Sequence, residues 1–365
     1  MSEERSYDVV VVGGGVIGLA AAWRLAQAGV GVAVLERSER PPGGATGVAA
    51  GMLAPIGELT FGEPGLLELT LAAADLYPRF VAELEEASGV ATGYEVRGAL
   101  HVALDRDEAE QLRRVHDLQR RMGLAAEWLP PRGCRELEPG LTPSLSGGVI
   151  APGEGSIDPR QLSAALLAAL GRQGVEVRTG TEVTGSRIEG ERIAGVRTAA
   201  GEELRAGTVV LACGAWSGGA EWLPEAARPP VRPVKGQILE LRRPRGTAAP
   251  IERIVASERV YLVPRGDGRL IAGATVEERG FDTAVTAGGV HELLREAYRL
   301  LPDVAEMELV AASAGLRPAT PDNMPAVGPG SLDGLIVATG HFRNGILLAP
   351  LAAAGVVDAL EAVAA

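Results

Sequence analysis

Apolar residues along this chain fall into unbroken runs and into helical stripes, and the order of the two predicts the architecture. Val9-Val10-Val11-Val12 has no polar face, which suits a strand buried on both sides in a parallel sheet. It leads into Gly13-Gly14-Gly15-Val16-Ile17-Gly18, a helical stretch at 19–27 and a second apolar run at 32–35. Residues 7–37 therefore predict strand, turn, helix and strand. Residues 66–87 carry apolar positions at helical spacing with Glu68, Glu83, Glu85 and Glu86 outside, the pattern of an amphipathic surface helix. A strand is predicted at 98–104 and a charged, solvent-facing helix at 107–122.

Beyond a proline-rich connection at 130–143, Asp158 and Pro159 supply a capping acid and a first-turn proline for a helix that Gly174 stops. A strand follows at 175–178, then a hairpin-like meander at 187–188 and 193–198. Residues 208–217 repeat the pattern of buried strand and then glycine, here Gly214. Arginine, proline and lysine crowd into 228–235, and the shift in composition marks a domain crossing. Strand patterns at 237–241, 259–265 and 269–275 predict an antiparallel sheet, and 290–301 an amphipathic helix ended by Pro302. A strand at 335–339, a glycine-bounded loop and a helix at 346–363 close the chain. Parallel-type patterns at both ends around an antiparallel block predict a mixed α/β and α+β protein. Its Rossmann-like, discontinuous nucleotide domain is expected at 1–85, 147–228 and 315–365, with an inserted substrate domain at 86–146 and 229–314.

The glycine turn carries the first chemistry. Gly13 permits a tight turn, Gly15 lets backbone approach a pyrophosphate, and Gly18 allows close packing of helix on strand. The helix N-terminus that follows favours an anion, and Glu36, at the end of the second strand, can accept hydrogen bonds from ribose hydroxyls. Such a turn serves FAD and NAD alike. The small side chains of 41–53 let backbone approach a flat ligand closely. A net charge of −12 argues against nucleic-acid or acidic-membrane partners. Two cysteines make no disulfide framework and four histidines no ligand-spaced cluster, so no metal is expected. The charged start, Met1-Ser2-Glu3-Glu4-Arg5, is unlike a leader, and the apolar run 346–357 is short and holds Pro350, which together suggest a reduced, cytoplasmic protein.

With Gly13 to Gly18 near the start, Gly315-Leu316-Arg317-Pro318 later, and Gly340-His341-Phe342-Arg343-Asn344-Gly345-Ile346-Leu347-Leu348-Ala349-Pro350 near the end, the chain resembles the glycine oxidase (ThiO) branch of the FAD-dependent D-amino acid oxidase family over essentially its whole length. The resemblance implies non-covalent FAD, two domains, homo-oligomers, and oxidation of glycine, sarcosine or small D-amino acids to an imino acid and hydrogen peroxide. The imine then hydrolyses to keto acid and ammonia, or in some members feeds thiamine thiazole synthesis. Carried over by position, the resemblance makes Arg317 the clamp for the substrate carboxylate, Tyr261 its hydroxyl partner and Arg343 a second contact. It assigns FAD contacts to Val16, Ile17, Glu36, Arg37, Ala45, Thr46, Ala50, Gly51, Met52, Val183 and the loop His341, Phe342, Arg343, Asn344, Gly345, Ile346 and Leu347; Gly13, Gly15, Gly18 and Gly214 complete the expected cofactor set. Arg259 and Val276 depart from histidine and methionine in relatives, beside the expected pocket.

An arginine suits the clamp because its planar guanidinium forks onto a carboxylate with two parallel hydrogen bonds, fixing direction as well as distance. The chemistry then needs positioning more than an acid or base, provided the substrate amine is neutral, and a helix N-terminus near Gly345 would stabilise charge on the reduced flavin. A dehydrogenase of the same fold that feeds another electron acceptor, and a nucleotide-binding subunit without activity, are the alternatives. The set of Arg317, Tyr261 and Arg343 counts against the second.

Overall fold

A computed structural model describes residues 5–59 and 63–364; the charged residues at 1–4 lie outside it. Strand Arg5–Val12 is the centre of the first sheet. It pairs in parallel with Val32–Leu35 on one side and Glu203–Leu211 on the other, and Glu176–Arg178 and Leu335–Thr339 continue the parallel order outward. Ala326–Pro329 pairs antiparallel with Leu335–Thr339 at one edge, and the hairpin Val183–Glu189 and Arg192–Thr198 branches antiparallel from Glu203–Leu211. Val9 and Val11 pack into one hydrophobic cluster while Val10 and Val12 pack into another, so both faces of the strand are covered, as its unbroken apolar run requires.

Helices Val16–Gln27, Pro64–Ser88, Pro159–Arg172 and Gly345–Ala364 build the larger cluster. Trp23 and Phe80 meet edge to face there, with ring centroids 5.4 Å apart. Pro350 lies inside helix Gly345–Ala364 and has no N–H to give the Ile346 carbonyl one turn back. The buried Tyr77 hydroxyl donates to that carbonyl instead, at 3.0 Å, so the helix continues through the proline. The helix matches the predicted 346–363 to within a residue at each end. Over Gly345–Val363 it meets the length and hydropathy of a membrane span, yet half of that window is buried inside the protein, and the helix packs against Val16–Gln27 and Pro64–Ser88.

The second sheet runs in the order Glu308–Ala319, Arg232–Arg242, Arg269–Gly273, Tyr261–Pro264, Ile254–Ala256, Ala99–Ala103, Gly147–Ala151 and Glu127–Leu129. All its neighbours are antiparallel except Ile254–Ala256 with Ala99–Ala103. Helix Ala287–Leu300 covers it through Leu293, Ala297 and Leu300. The short strands Glu127–Leu129, Gly147–Ala151, Ile254–Ala256 and Ala326–Pro329 have no counterpart in the sequence pattern, and two further differences have a local cause. The connection at 130–143 contains helix Pro131–Leu137, begun by a first-turn proline that also reads as loop punctuation. Glu308–Ala319 is one long strand where the sequence pattern predicts none, because its glycine and alanine content masks the alternation. Gly147–Ala151 and Glu308–Ala319 both pair within the second sheet, so that sheet's strands extend past 146 and 314.

Candidate active site

Between the two sheets lies a cavity of about 1020 Å³. Val12, Leu35, Ala212, Ala338 and Thr339 line its floor at the carboxyl ends of the parallel strands, the usual place for ligands in such sheets. Gly13 turns there with φ +118°, and a Cβ on it would land on the Ala212 carbonyl. Gly15 begins helix Val16–Gln27, and a Cβ there would meet only Thr46 Oγ1, at 3.5 Å, so open space lies over the helix N-terminus. Glu36 is held between two backbone amides: Gly14 N–H donates to Oε2 at 2.6 Å and Ser38 N–H to Oε1 at 2.8 Å.

Every expected cofactor residue except Gly18, Asn344 and Leu347 lines this cavity. Gly18 packs against the Gly13 carbonyl, leaving no room for a Cβ, and Leu347 is 2 % exposed in the core. Asn344 shapes the loop: its N–H donates to the His341 carbonyl and its own carbonyl accepts from Leu348 N–H. Phe342 N–H donates to the Pro318 carbonyl at 2.9 Å, which ties this loop to the strand carrying Arg317. Phe342 holds φ +45°, a left-handed conformation uncommon for a residue with a side chain. His341 is buried, its Nε2 has no partner among the described residues, and burial pushes its pKa down to about 4, so the ring is neutral.

The far end of the cavity is made by the second sheet. Tyr261 stands opposite Gly273 in antiparallel register, and the phenol lies where a Cβ of Gly273 would be. The Arg317 guanidinium lies over Gly236 in the same way, and its Nη1 donates to the Thr275 carbonyl at 3.1 Å. Burial pushes the Tyr261 hydroxyl up to about 12, against the pull of Arg317. Arg343 is 3.9 Å from Glu58 and 3.8 Å from Glu63. Burial raises the Glu58 carboxyl, while Arg343 and Arg317 draw it back down. Val276 and Arg259 line the same cavity, and Val276 is 70 % exposed.

Sequence reasoning missed Glu58, Trp216, Gly236 and Gly273. Trp216 lines the cavity with the Arg37 guanidinium 3.8 Å from its ring centroid. The two glycines bear no motif, because the clash they avoid is with side chains on neighbouring strands.

Residues 8–359 match the family model described as FAD dependent oxidoreductase. The chain belongs to the FAD-dependent oxidoreductase family. Among its relatives, glycine oxidase from Geobacillus kaustophilus is 37% identical over 97% of this chain and 93% of its own length. The bifunctional protein ThiO/ThiG of Synechocystis sp. is 38% identical over 97% of this chain, which spans about half of that relative's length, 52%. The crystal structure of the Geobacillus glycine oxidase superposes with a TM-score of 0.90 at 36% identity, covering 98% of this chain and 95% of that one.

The residues present fit FAD. A glycine turn with open space at a helix N-terminus suits a pyrophosphate, and Glu36, which accepts from Gly14 N–H, lines the cavity beside that turn with its carboxylate within reach of hydroxyl donors. At the other end the N-terminal turn of Gly345–Ala364 faces the cavity through Gly345 and Ile346, and the unpartnered His341 Nε2 lies beside it. This family member therefore has a dinucleotide cradle on one sheet and a tyrosine and an arginine on the other.

Proposed function

We propose that this protein is an amino acid oxidase of the glycine oxidase type, acting on glycine, sarcosine or small D-amino acids. The observation that carries the reading is the juxtaposition of Arg317 and Tyr261, from two strands of the second sheet, over the end of the cavity opposite the Gly13 turn. Bound FAD would supply the acceptor for a hydride from the substrate Cα and pass the electrons to oxygen.

The chain's own residues bind and orient. Arg317 takes the substrate carboxylate with a fork held at Nη1 by the Thr275 carbonyl, and each charge-assisted hydrogen bond contributes about 1.5–3 kcal/mol. The Tyr261 phenol, kept protonated by its raised pKa, donates a further hydrogen bond to that carboxylate. Arg343 borders the pocket between Glu58 and Glu63, which offset its charge and leave Arg317 the dominant anion site. Apolar neighbours Ile238, Ala256 and Val260 exclude water from the reacting carbon. The positive end of helix Gly345–Ala364 stabilises negative charge at the cavity.

We further propose that the first sheet and its helices form the nucleotide-binding part and the second sheet the substrate part. The protein works as a cytoplasmic homo-oligomer that yields peroxide and an imine able to supply thiamine thiazole synthesis. The free thiols of Cys134 and Cys213 suit a reducing compartment. The deciding experiment adds glycine, sarcosine, D-alanine and D-proline to the yellow holoenzyme under nitrogen, then admits oxygen. Bleaching followed by recolouring with peroxide is expected. Bleaching with no return under oxygen would indicate a dehydrogenase, and no bleaching by any of the four would end the reading.

A further inference from the structure

Behind the substrate side of the cavity lies a buried pair that the proposed reaction does not use. Glu154, 1 % exposed, points at the loop that carries Glu58: its Oε1 accepts from the N–H groups of Ile56 at 2.6 Å and Gly57 at 2.7 Å. Its Oε2 is 4.0 Å from His101 Nε2, and both atoms are buried without a hydrogen-bond partner among the described residues. Gln119 holds the same loop from helix Arg106–Arg121, its Nε2 donating to the Ile56 carbonyl at 3.0 Å. The space behind Gly57 is filled by the pair, since a Cβ there would land on His101 Nε2 and lie 2.9 Å from Glu154 Oε2. Gly57, Glu58, Leu59 and His101 all line the cavity, so the pair backs directly onto its wall.

Two orphaned atoms this close and this buried need a hydrogen between them, from the acid O–H or from an imidazole Nε2–H, and only the protonated acid beside a neutral imidazole leaves no charge buried there. We infer that Glu154 is a positioning residue for the substrate pocket: protonated, it directs its O–H to His101 Nε2 and its other oxygen to the 56–57 amides, and so fixes Glu58 beside Arg343.

The charges around the pair agree. Burial pushes Glu154 up to about 8, against the two backbone N–H groups, with the Glu58 carboxylate adding to the rise, and burial pushes His101 down to about 4. At neutral pH Glu154 therefore keeps its acid proton and the His101 ring is neutral. The charged groups that bear on it are Glu58 from the loop and, through Glu58, Arg343 and Arg317; Gln119 on the packed helix is uncharged. Above pH 8 the proton leaves, a negative charge is buried behind the loop, and the loop loses its fixed position.

The test rests on the glycine oxidase reading for its kinetic arm and is independent of it for its spectroscopic arm. Glu154→Gln presents a carbonyl to the two amides and an NH₂ to His101, imitating the protonated acid, whereas Glu154→Ala presents nothing. With glycine as substrate, E154A should raise KM about fivefold or more at pH 7 with flavin content kept, while E154Q stays within about twofold. Between pH 7 and 9 the wild-type KM should climb about threefold relative to that of E154Q, because only the wild type can lose this proton. Infrared spectra of the holoenzyme should show a buried carboxylic acid band, shifted in D₂O, that is missing from E154Q. Equal damage in both variants, parallel pH profiles, or the absence of that band would each overturn the inference. If no amino acid reduces the wild type, the oxidase reading fails and the infrared band alone decides this one.

Discussion

The guanidinium of Arg317 occupies the volume that a Cβ on Gly236 would fill. The two residues lie on paired strands, Val234 being the register partner of Arg317 and Gly315 that of Gly236, so the arginine lies diagonally across the ladder. Changing Gly236 to alanine would push the fork off its line without touching the nucleotide cradle. Losing one charge-assisted contact of about 1.5–3 kcal/mol raises the glycine KM roughly tenfold to a hundredfold. Steady-state kinetics with a flavin absorbance ratio unchanged from the wild type is the expected result, and an unchanged KM would show that the guanidinium relaxes freely.

Arg317→Ala removes the proposed clamp itself. A larger KM increase than that of the glycine variant is expected with FAD retained, and Arg317→Lys should not restore affinity, because a point charge lacks the planar fork. Glycine kinetics of the alanine variant that match the wild type would take Arg317 out of the site.

Tyr261→Phe keeps the ring packed over Gly273 and deletes only the hydroxyl. A KM increase of about five- to tenfold is expected from one lost hydrogen bond. The phenol is pushed up to about 12, above its ordinary 10.0, so wild-type activity should show no alkaline limb from this group below pH 10. A limb that disappears in the phenylalanine variant below that pH would contradict the assignment.

Gly13→Ala strikes the other end. At φ +118° an alanine is strained and collides with the Ala212 carbonyl, which destabilises the fold by about 1–3 kcal/mol or more. Urea denaturation should report that loss, and the purified variant should be largely colourless.

Stability should also fall with acid in a traceable way. His341 is buried neutral, with its pKa moved from 6.5 to about 4, so its favourable contribution is complete above 6.5 and is lost as pH falls toward 4. The sum over that window is of the order of 3 kcal/mol for one proton. Denaturation midpoints of wild type and His341→Gln at pH 7 and pH 5 should converge in acid, and parallel losses in the two would exclude His341 as the source.

Local signals account for what was legible before the structure. Asp158 caps its helix by accepting from Arg160 and Gln161 N–H, as the aspartate and proline together predicted. The valine run and glycine turn located the first strand and helix because burial on both faces and a left-handed turn leave few residue choices. Glu154 and His101 were opaque: no spacing rule links positions 53 residues apart, and only the antiparallel pairing of Ala99–Ala103 with Gly147–Ala151 brings them together. Gly236 and Gly273 were opaque for a related reason. Their meaning resides in the bulk of Arg317 and Tyr261, and each becomes visible only once strand register is known.

The cavity draws its walls from both Gly13 and Gly345, positions separated by almost the full reach of the polypeptide. A nascent chain leaving the ribosome thus exposes its glycine turn long before the opposing helix exists. The cavity closes only once the strand Leu335–Thr339 and the turn after it have been made, so its two ends meet late in synthesis.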